Sequence, residues 1–152
     1  MTTQQQTAWS QFLQDTGRST DTPCYECFYF CDNEPAANEL LALVLDGTKT
    51  ATTSYRPSYI AQDQPLPKIG TLSMVTDFAG TPHCVIETKA VTCLPFDEMT
   101  YDICKREGED TCLETWQDNH RHFFGQECLQ IGIPFDEHED VVFEDFEVIF
   151  RF

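Results

Sequence analysis

The feature that most constrains this chain is a pair of β-strand patterns separated by a short turn. Residues 70–77 (GTLSMVTD) and 84–93 (CVIETKAVTC) are rich in β-branched and apolar residues, and Gly80 and Pro82 lie between them. Such a pattern predicts an antiparallel hairpin. The last residues, 141–152 (VVFEDFEVIFRF), alternate in a way that predicts a further strand, with Glu144 as the one interruption of its apolar face. That face carries Val142, Phe146, Val148, Phe150 and Phe152.

Most of the other patterns are helical. Apolar residues at helical spacing predict helices over 3–16 and 111–124, and a third that begins with a cap at Asp32 or Asn33 and ends at Gly47. A short helix or helical turn is predicted over 96–104. The aromatic segment 24–31 predicts a strand. Because strands and helices follow one another without regular βαβ spacing, we expect an α+β fold with a largely antiparallel sheet. The chain has a mass of 17.4 kDa and no repeat or linker, which predicts one domain over residues 1–152.

The charge of the chain limits its partners. The sequence has 26 acidic and 9 basic side chains, a net charge of −17. A protein that follows a nucleic-acid backbone needs a basic face, so extended nucleic acid is not an expected partner. The one longer stretch of net positive charge is residues 47–76, which contains Lys49, Arg56 and Lys68 but only one acid, Asp63. This window is predicted to attract an anionic or electron-rich ligand, although a chance gap in the acids would give the same pattern.

The sequence predicts a cytoplasmic protein that does not associate with membranes. No run of 18 apolar residues is present, and the first residues (MTTQQQTAWSQF) lack the basic and apolar regions of a signal peptide. Reduced cysteines are therefore expected, and we interpret a set of them as small core hydrophobes: Cys84, Cys93, Cys104 and Cys128. Cys24, Cys27 and Cys31 have the spacing of half a metal site, but no matching pair of Cys or His follows, so we expect no metal and no cofactor.

The segment LVLDGTKTATTS, residues 43–54, is the most informative for chemistry. A helix is predicted to end at Gly47, and Lys49 follows among hydroxyl side chains, Thr48, Thr50, Thr52, Thr53 and Ser54. A lysine in a low-dielectric cleft can lose its proton or hold an anion. Lys49 would then act as a base toward a threonine hydroxyl or as an electrostatic clamp on a bound carbonyl. The alternative interpretation is a solvated lysine beside a threonine-rich strand.

A second candidate lies in KREGEDTCLETW, residues 105–116. Glu107, Glu109 and Asp110 precede the helix predicted over 111–124, where acidic side chains are favoured by the helix dipole. That structural role accounts for Asp110. Glu109 would instead form a general acid/base pair if the fold brings it opposite Lys49.

Four segments, in the same order, resemble the ASCH domain, the activating-signal-cointegrator homology domain related to PUA RNA-binding modules. They are residues 38–54 (NELLALVLDGTKTATTS), 69–91 (IGTLSMVTDFAGTPHCVIETKAV), 107–124 (EGEDTCLETWQDNHRHFF) and 141–150 (VVFEDFEVIF). The resemblance implies a PUA-like β-barrel of five to six mostly antiparallel strands with flanking helices and a cleft near GTKTATTS. The chain departs from relatives of its length, which often read E-G-E-G-D-x-S-L, because one glycine is missing and Cys112 stands where a serine is common.

The resemblance also implies candidate site residues. Some small bacterial members of this superfamily hydrolyse the amide of N4-acetylcytidine with a lysine, a threonine and a glutamate, which fall by motif on Lys49, Thr52 and Glu109. Another member is associated with RNA cleavage through the same lysine and an aromatic hydroxyl, for which Tyr25 and Tyr29 are both candidates. The side chains expected to bind the ligand are Tyr29, Thr50, Ser54 and Arg56.

Three functions are therefore open. The first is an amidohydrolase acting on a modified nucleoside, the second an RNA-binding protein or ribonuclease that uses the same cleft, and the third a non-catalytic binding module. A net charge of −17 repels long RNA but not a neutral nucleoside. The sequence accordingly favours a nucleoside, or at most a short RNA, as the partner.

Overall fold

The computed structural model describes residues 1–152 and contains five helices and five strands. The helices are α1 (Thr3–Asp15), α2 (Glu34–Asp46), α3 (Arg56–Ala61), α4 (Tyr101–Cys104) and α5 (Leu113–Ile131). The strands are β1 (Cys27–Phe28), β2 (Ala51–Tyr55), β3 (Leu72–Thr76), β4 (Pro82–Pro95) and β5 (Asp140–Arg151). Two 3-10 turns, Phe96–Glu98 and Lys105–Glu107, flank α4. No helix is long and apolar enough to cross a bilayer.

All five strands form one mixed sheet in the order β1-β3-β4-β5-β2. Strand β1 runs parallel to β3, and the other three pairs are antiparallel, including the predicted hairpin of β3 and β4. The pairing of β4 with β5 shifts register after Val85 and again after Thr88. Such bulges increase the bend and twist of a strand pair. The sheet curls into a half-barrel, which confirms the α+β fold with mostly antiparallel strands and flanking helices.

Helix α2 begins and ends where its sequence predicts. The Asn33 side chain caps it by accepting a hydrogen bond of 3.1 Å from the backbone N–H of Ala36, and Pro35 lies in the first turn. Gly47 ends the helix in a left-handed conformation. The N–H of Lys49 then donates to the carbonyl of Leu43 at 2.9 Å, which fixes the lysine directly after the helix.

Three apolar clusters cover the sheet, and each is named here by the helix that packs on it. The α5 cluster includes Tyr55, Phe96, Trp116, Phe124 and Phe143. The α2 cluster includes Phe30, Leu41, Val44, Val75 and Phe146, and the α1 cluster includes Trp9, Phe12, Leu13, Met74 and Val85. The beginning of β5 is buried on both faces, since Val141, Val142 and Phe143 are all enclosed, whereas the alternation predicted one apolar face.

Other elements differ from their predicted extents. The strand predicted over 24–31 is reduced to the two residues of β1, and Cys31 turns the chain with a φ of 63°. The helix predicted over 96–104 is a 3-10 turn followed by α4, and α5 continues past Phe124 to Ile131. All eight cysteines are free. Three of the four predicted core cysteines are buried, but the prediction is wrong for Cys93, which is exposed.

Candidate functional site

A cavity of about 290 Å³ lies between the curled sheet and α5. Its walls include the rings of Phe28, Phe30, Phe123 and Phe124, which come from the α2 and α5 clusters or pack against them. Polar side chains gather in two groups. We call them the lysine cluster (Lys49, Thr53, Glu107, Glu109, Trp116 and His120) and the Glu26 group (Tyr25, Glu26, Ser54, Tyr59 and Glu144).

Lys49 lies at the centre of the lysine cluster, and its side chain is only 1% exposed. Its Nζ lies 3.3 Å from Glu107 Oε2 and donates a hydrogen bond to Glu109 Oε1. It also lies 5.1 Å from the centroid of the Phe30 ring, within the range of a cation–π interaction. Two carboxylates therefore compensate one buried ammonium group, and the cluster has no surplus positive charge.

Glu107 is the most enclosed carboxyl of the cluster, with a side chain 2% exposed. Its Oε1 accepts hydrogen bonds from Thr53 Oγ1 at 2.5 Å and from Trp116 Nε1 at 2.8 Å. Its Oε2 faces Lys49 and lies 3.7 Å from His120 Nε2. His120 is fixed in turn, because its ring stacks on Trp116 at 4.0 Å and its Nδ1 lies 2.9 Å from the Trp116 carbonyl.

The backbone explains why both glutamates reach the same lysine. Gly108 separates them and has a φ of 73°, a conformation that side chains disfavour. A Cβ on Gly108 would lie 2.5 Å from the carbonyl oxygen of Thr48, so the two segments meet in backbone contact. The N–H of Thr50 also donates to the carbonyl of Arg106 at 3.0 Å. Segments 48–50 and 106–108 are thus held together at the position of Lys49.

The electrostatic environments of the two glutamates are opposite. Burial opposes ionisation of Glu107, but the charges of Lys49 and His120 and the hydrogen bond from Thr53 outweigh it and hold the pKa of this carboxyl well below its ordinary value. Burial raises the pKa of Glu109; Lys49 opposes the shift and the charge of Glu107 adds to it. For His120, burial lowers the pKa, but the charge and hydrogen bond of Glu107 reverse the sign, so the net shift is upward.

The Glu26 group is acidic and rich in hydroxyls. Burial raises the pKa of Glu26, and the nearby charge of Glu144 adds to the shift. Burial also raises the pKa of Glu144, against a hydrogen bond of 2.5 Å from Thr88 Oγ1. The pKa of Tyr59 rises to about 12, mainly through burial. A smaller cavity of about 190 Å³ adjoins this group, since Glu26, Ser54 and Tyr59 line both cavities.

The structure brings the three predicted catalytic residues to one cavity, with Lys49 bonded directly to Glu109. Thr52 also lines this cavity and is paired across the sheet with Glu144. The hydroxyl that contacts the lysine cluster belongs to its neighbour Thr53, because successive side chains of β2 point to opposite faces.

The predicted ligand-binding residues divide into two pairs. Tyr29 and Ser54 line the cavity. Thr50 and Arg56 do not line it: the Thr50 hydroxyl donates to the Arg106 carbonyl at 3.2 Å, and the Arg56 guanidinium lies 2.6 Å from the Asp140 carboxylate on the surface.

The basic window also does not become a basic cleft. Of Lys49, Arg56 and Lys68, only Lys49 lines the cavity, and two carboxylates compensate it. Both tyrosine candidates line the cavity, but the Tyr25 hydroxyl is engaged in a hydrogen bond of 2.5 Å to the Pro65 carbonyl.

Four members of the lysine cluster were not predicted as site residues: Thr53, Glu107, Trp116 and His120. The His120 ring is buried and also faces Glu107. The apolar spacing of α5 places Trp116 and His120 on one helix face. Trp116 and His120 could have been identified as site residues from this spacing together with the acidic residues that precede the helix.

Comparisons with known proteins agree with the fold. The family model that matches is the ASCH domain, over residues 26–150. The solved ASCH domain from Lactobacillus crispatus JV V101 is 32% identical, with 99% of this chain and 96% of that chain covered and a TM-score of 0.87. Protein EF3133 from Enterococcus faecalis V583 is 28% identical, with 94% and 86% covered and a TM-score of 0.85. A search of curated proteins finds no match.

Proposed function

The chain belongs to the ASCH domain family, and on this premise we propose that it binds an uncharged, nucleoside-sized ligand and hydrolyses an amide on it, such as the acetyl amide of N4-acetylcytidine. The observation that carries the proposal is a buried lysine between two glutamates on the wall of a cavity that several Phe and Tyr rings also line. The pKa of Glu107 is lowered and that of Glu109 is raised. Neighbouring carboxyls whose pKa values are shifted in opposite directions are typical of acid/base sites.

The size of the cavity favours one small molecule. A volume of about 290 Å³ is near the lower limit of small-molecule sites, which begin at about 300 Å³. The aromatic walls offer faces on which a planar base can stack. A nucleoside satisfies both conditions, whereas a run of several nucleotides exceeds the enclosed space.

The charge of the cavity favours a ligand without phosphate. Glu26, Glu107, Glu109, Glu127 and Glu144 line it, and the one basic side chain with them is that of Lys49, although His120 adds a titratable ring. A phosphate group would meet repulsion from these carboxyls. Sugar hydroxyls or amino groups can instead donate hydrogen bonds to carboxylate oxygens, and the Glu26 group supplies such acceptors.

The chemistry proceeds by transfer of protons between adjacent groups. Glu109 accepts a proton from Lys49, and the free amine then removes the proton of the attacking hydroxyl as its oxygen bonds to the amide carbonyl carbon. The carbon–nitrogen bond breaks, and the departing amino group takes the proton from Lys49. The attacking hydroxyl is that of a water molecule, which Thr52 positions from the cavity wall. The reaction consumes one water and releases cytidine, acetate and one proton, and Glu109 returns its proton to Lys49.

Hydrolysis of N4-acetylcytidine tests the proposal. Purified protein should release cytidine and acetate, and Lys49→Ala should lower kcat/KM by at least about 100-fold because it removes the base. The matched control is Lys68→Ala, which removes an exposed lysine outside the cavity and should retain activity. Turnover that survives Lys49→Ala would reject the site.

A phosphorylated substrate tests whether the carboxyls of the cavity repel phosphate. N4-acetylcytidine 5′-monophosphate should be a poorer substrate than the nucleoside, with KM raised by about tenfold or more at low ionic strength. Filter binding of single-stranded RNA over a salt series tests the RNA-binding alternative. Retention of RNA at low salt that disappears with Lys49→Ala would favour that alternative over the nucleoside.

A further inference from the structure

Glu107 joins three parts of the chain. It accepts hydrogen bonds from Thr53 of β2 and from Trp116 of α5, and it faces Lys49, which precedes β2, and His120 of α5. A carboxylate with both oxygens engaged in this way keeps its charge and its orientation in a buried site. Glu107 therefore has a fixed position relative to the cavity.

The backbone restrains the same carboxylate. Thr50 donates to the carbonyl of Arg106, the residue before Glu107, and Gly108 packs against Thr48. The segment that carries Glu107 and the segment that carries Lys49 therefore cannot separate without breaking backbone contacts. The distance of 3.3 Å between Lys49 Nζ and Glu107 Oε2 is set by the fold as well as by the ion pair.

Glu109 has a different environment. Its side chain is 23% exposed on the cavity wall, compared with 2% for Glu107, and its hydrogen-bond donor is Lys49. A carboxyl with one donor and access to the cavity can gain and lose a proton without disturbing the core.

We infer that the two glutamates have separate roles: Glu107 is a positioning residue that holds Lys49 at the cavity through Thr53 and Trp116, and Glu109 is the carboxyl that exchanges protons with Lys49. This inference rests on the proposed function for its kinetic consequences. The proton moves from the Lys49 ammonium to the Glu109 carboxylate and back, and Glu107 keeps its charge throughout.

A ligand-free measurement tests the division directly. The titratable groups facing Glu107 are Lys49, His120 of α5, Glu109 across Gly108, and the Cys104 thiol of α4. The side-chain carboxyl carbons of glutamate are labelled with 13C and observed by NMR. Glu107→Gln and Glu109→Gln each remove one resonance, which assigns the resonances of Glu107 and Glu109. The Glu109 resonance should titrate above about pH 4.5, and the Glu107 resonance should stay constant down to about pH 3. The reverse order, or a joint titration, would overturn the inference.

Kinetics of the intact protein supply the second readout. Trp116→Phe keeps a ring in the core but removes the indole N–H donor to Glu107, so kcat should fall by about tenfold with KM within about twofold. The matched control is Trp9→Phe, which removes an indole N–H bonded to the Thr22 carbonyl far from the cavity and should leave both constants unchanged. Glu109→Gln should lower kcat by at least about 100-fold and flatten the acidic limb of its pH profile.

The two readouts separate failure of this inference from failure of the proposed function. If the wild-type protein does not hydrolyse N4-acetylcytidine, the proposed function fails and the 13C titration alone decides the roles of the glutamates. If hydrolysis occurs but Trp116→Phe and Trp9→Phe have equal kinetics, Glu107 does not position Lys49.

Discussion

Single residues decide the geometry of the lysine cluster, and Gly108 is the clearest of them. It combines a φ of 73° with a backbone neighbour, the Thr48 carbonyl, at the point where a Cβ would lie. Because Glu107 and Glu109 lie on either side of it, any shift that relieves the contact also moves both carboxyls. The glycine therefore links the stability of the fold to the geometry of the site.

We expect Gly108→Ala to lower the free energy of unfolding by about 2–4 kcal/mol, since it adds a steric clash to backbone strain. The control is Gly132→Ala, at a φ of 76° with open space around the Cβ, which should cost only about 1 kcal/mol. Denaturant unfolding of the two variants measures the difference. Equal losses would show that the contact with Thr48 is not important.

At this scale the sequence predicted two of the six residues of the lysine cluster. Lys49 and Glu109 could be found because each stands in a short motif, GTKTATTS or EGED. Glu107 could not be distinguished from Glu109, because its role depends on Thr53 and Trp116, which are distant in the sequence and meet it only in the fold. The choice between Thr52 and Thr53 depends on the pleat of β2, which the sequence does not specify until the register with β5 is known.

At the scale of elements, local chemistry determined how well each one was predicted. Helix α2 has a cap and a C-terminal glycine at the predicted positions, because capping is a local interaction. Strand β1 is far shorter than its aromatic sequence predicts, because its length depends on pairing with β3, to which it is parallel and not adjacent in sequence. The interruption noticed in β5, Glu144, is explained by its place beside the cavity.

Because of Glu144 on β5, the stability of the protein is expected to depend on pH. The pKa of Glu144 is raised in the folded protein, so ionisation of Glu144 lowers the free energy of unfolding. This loss is absent below the pKa that Glu144 has in the unfolded chain, and it is complete once the pH exceeds the pKa in the folded protein. Glu144→Gln should therefore raise the melting temperature at pH 7, by about 2–4 °C for each kcal/mol recovered, and should have no effect near about pH 4.

The control on the same strand is Glu147→Gln, whose exposed side chain pairs with Lys89. It should not raise the melting temperature at either pH, because exposed ion pairs contribute little. A stabilisation by Glu144→Gln that is the same at both pH values would contradict the assigned burial penalty.

The whole molecule is dominated by its charge of −17. Self-repulsion of this size destabilises the compact state, and salt screens it. Surface pairs such as Arg56–Asp140 and Arg121–Glu137 oppose the effect, but the acids far outnumber the bases. The molecular charge is the one property at this scale that the sequence specifies completely.

We therefore expect the melting temperature to rise with sodium chloride at pH 7. At about pH 4.3, the isoelectric point of the sequence, the same salt series should have little effect because the net charge is close to zero. Thermal unfolding at both pH values measures this difference. An equal response to salt at both would indicate a specific ion effect in place of charge screening.

The edge strands of the sheet affect how copies of the protein can associate. An unpaired edge strand is a template on which another polypeptide can add by backbone hydrogen bonds, and proteins limit this risk by keeping such strands short. Here one edge is β1, with two residues, and the other is β2, with five residues that lead directly into α3. These two edge strands offer little backbone for intermolecular strand addition. The second half of β4, which extends beyond β3 and pairs only with β5, is the longest stretch of backbone open to it.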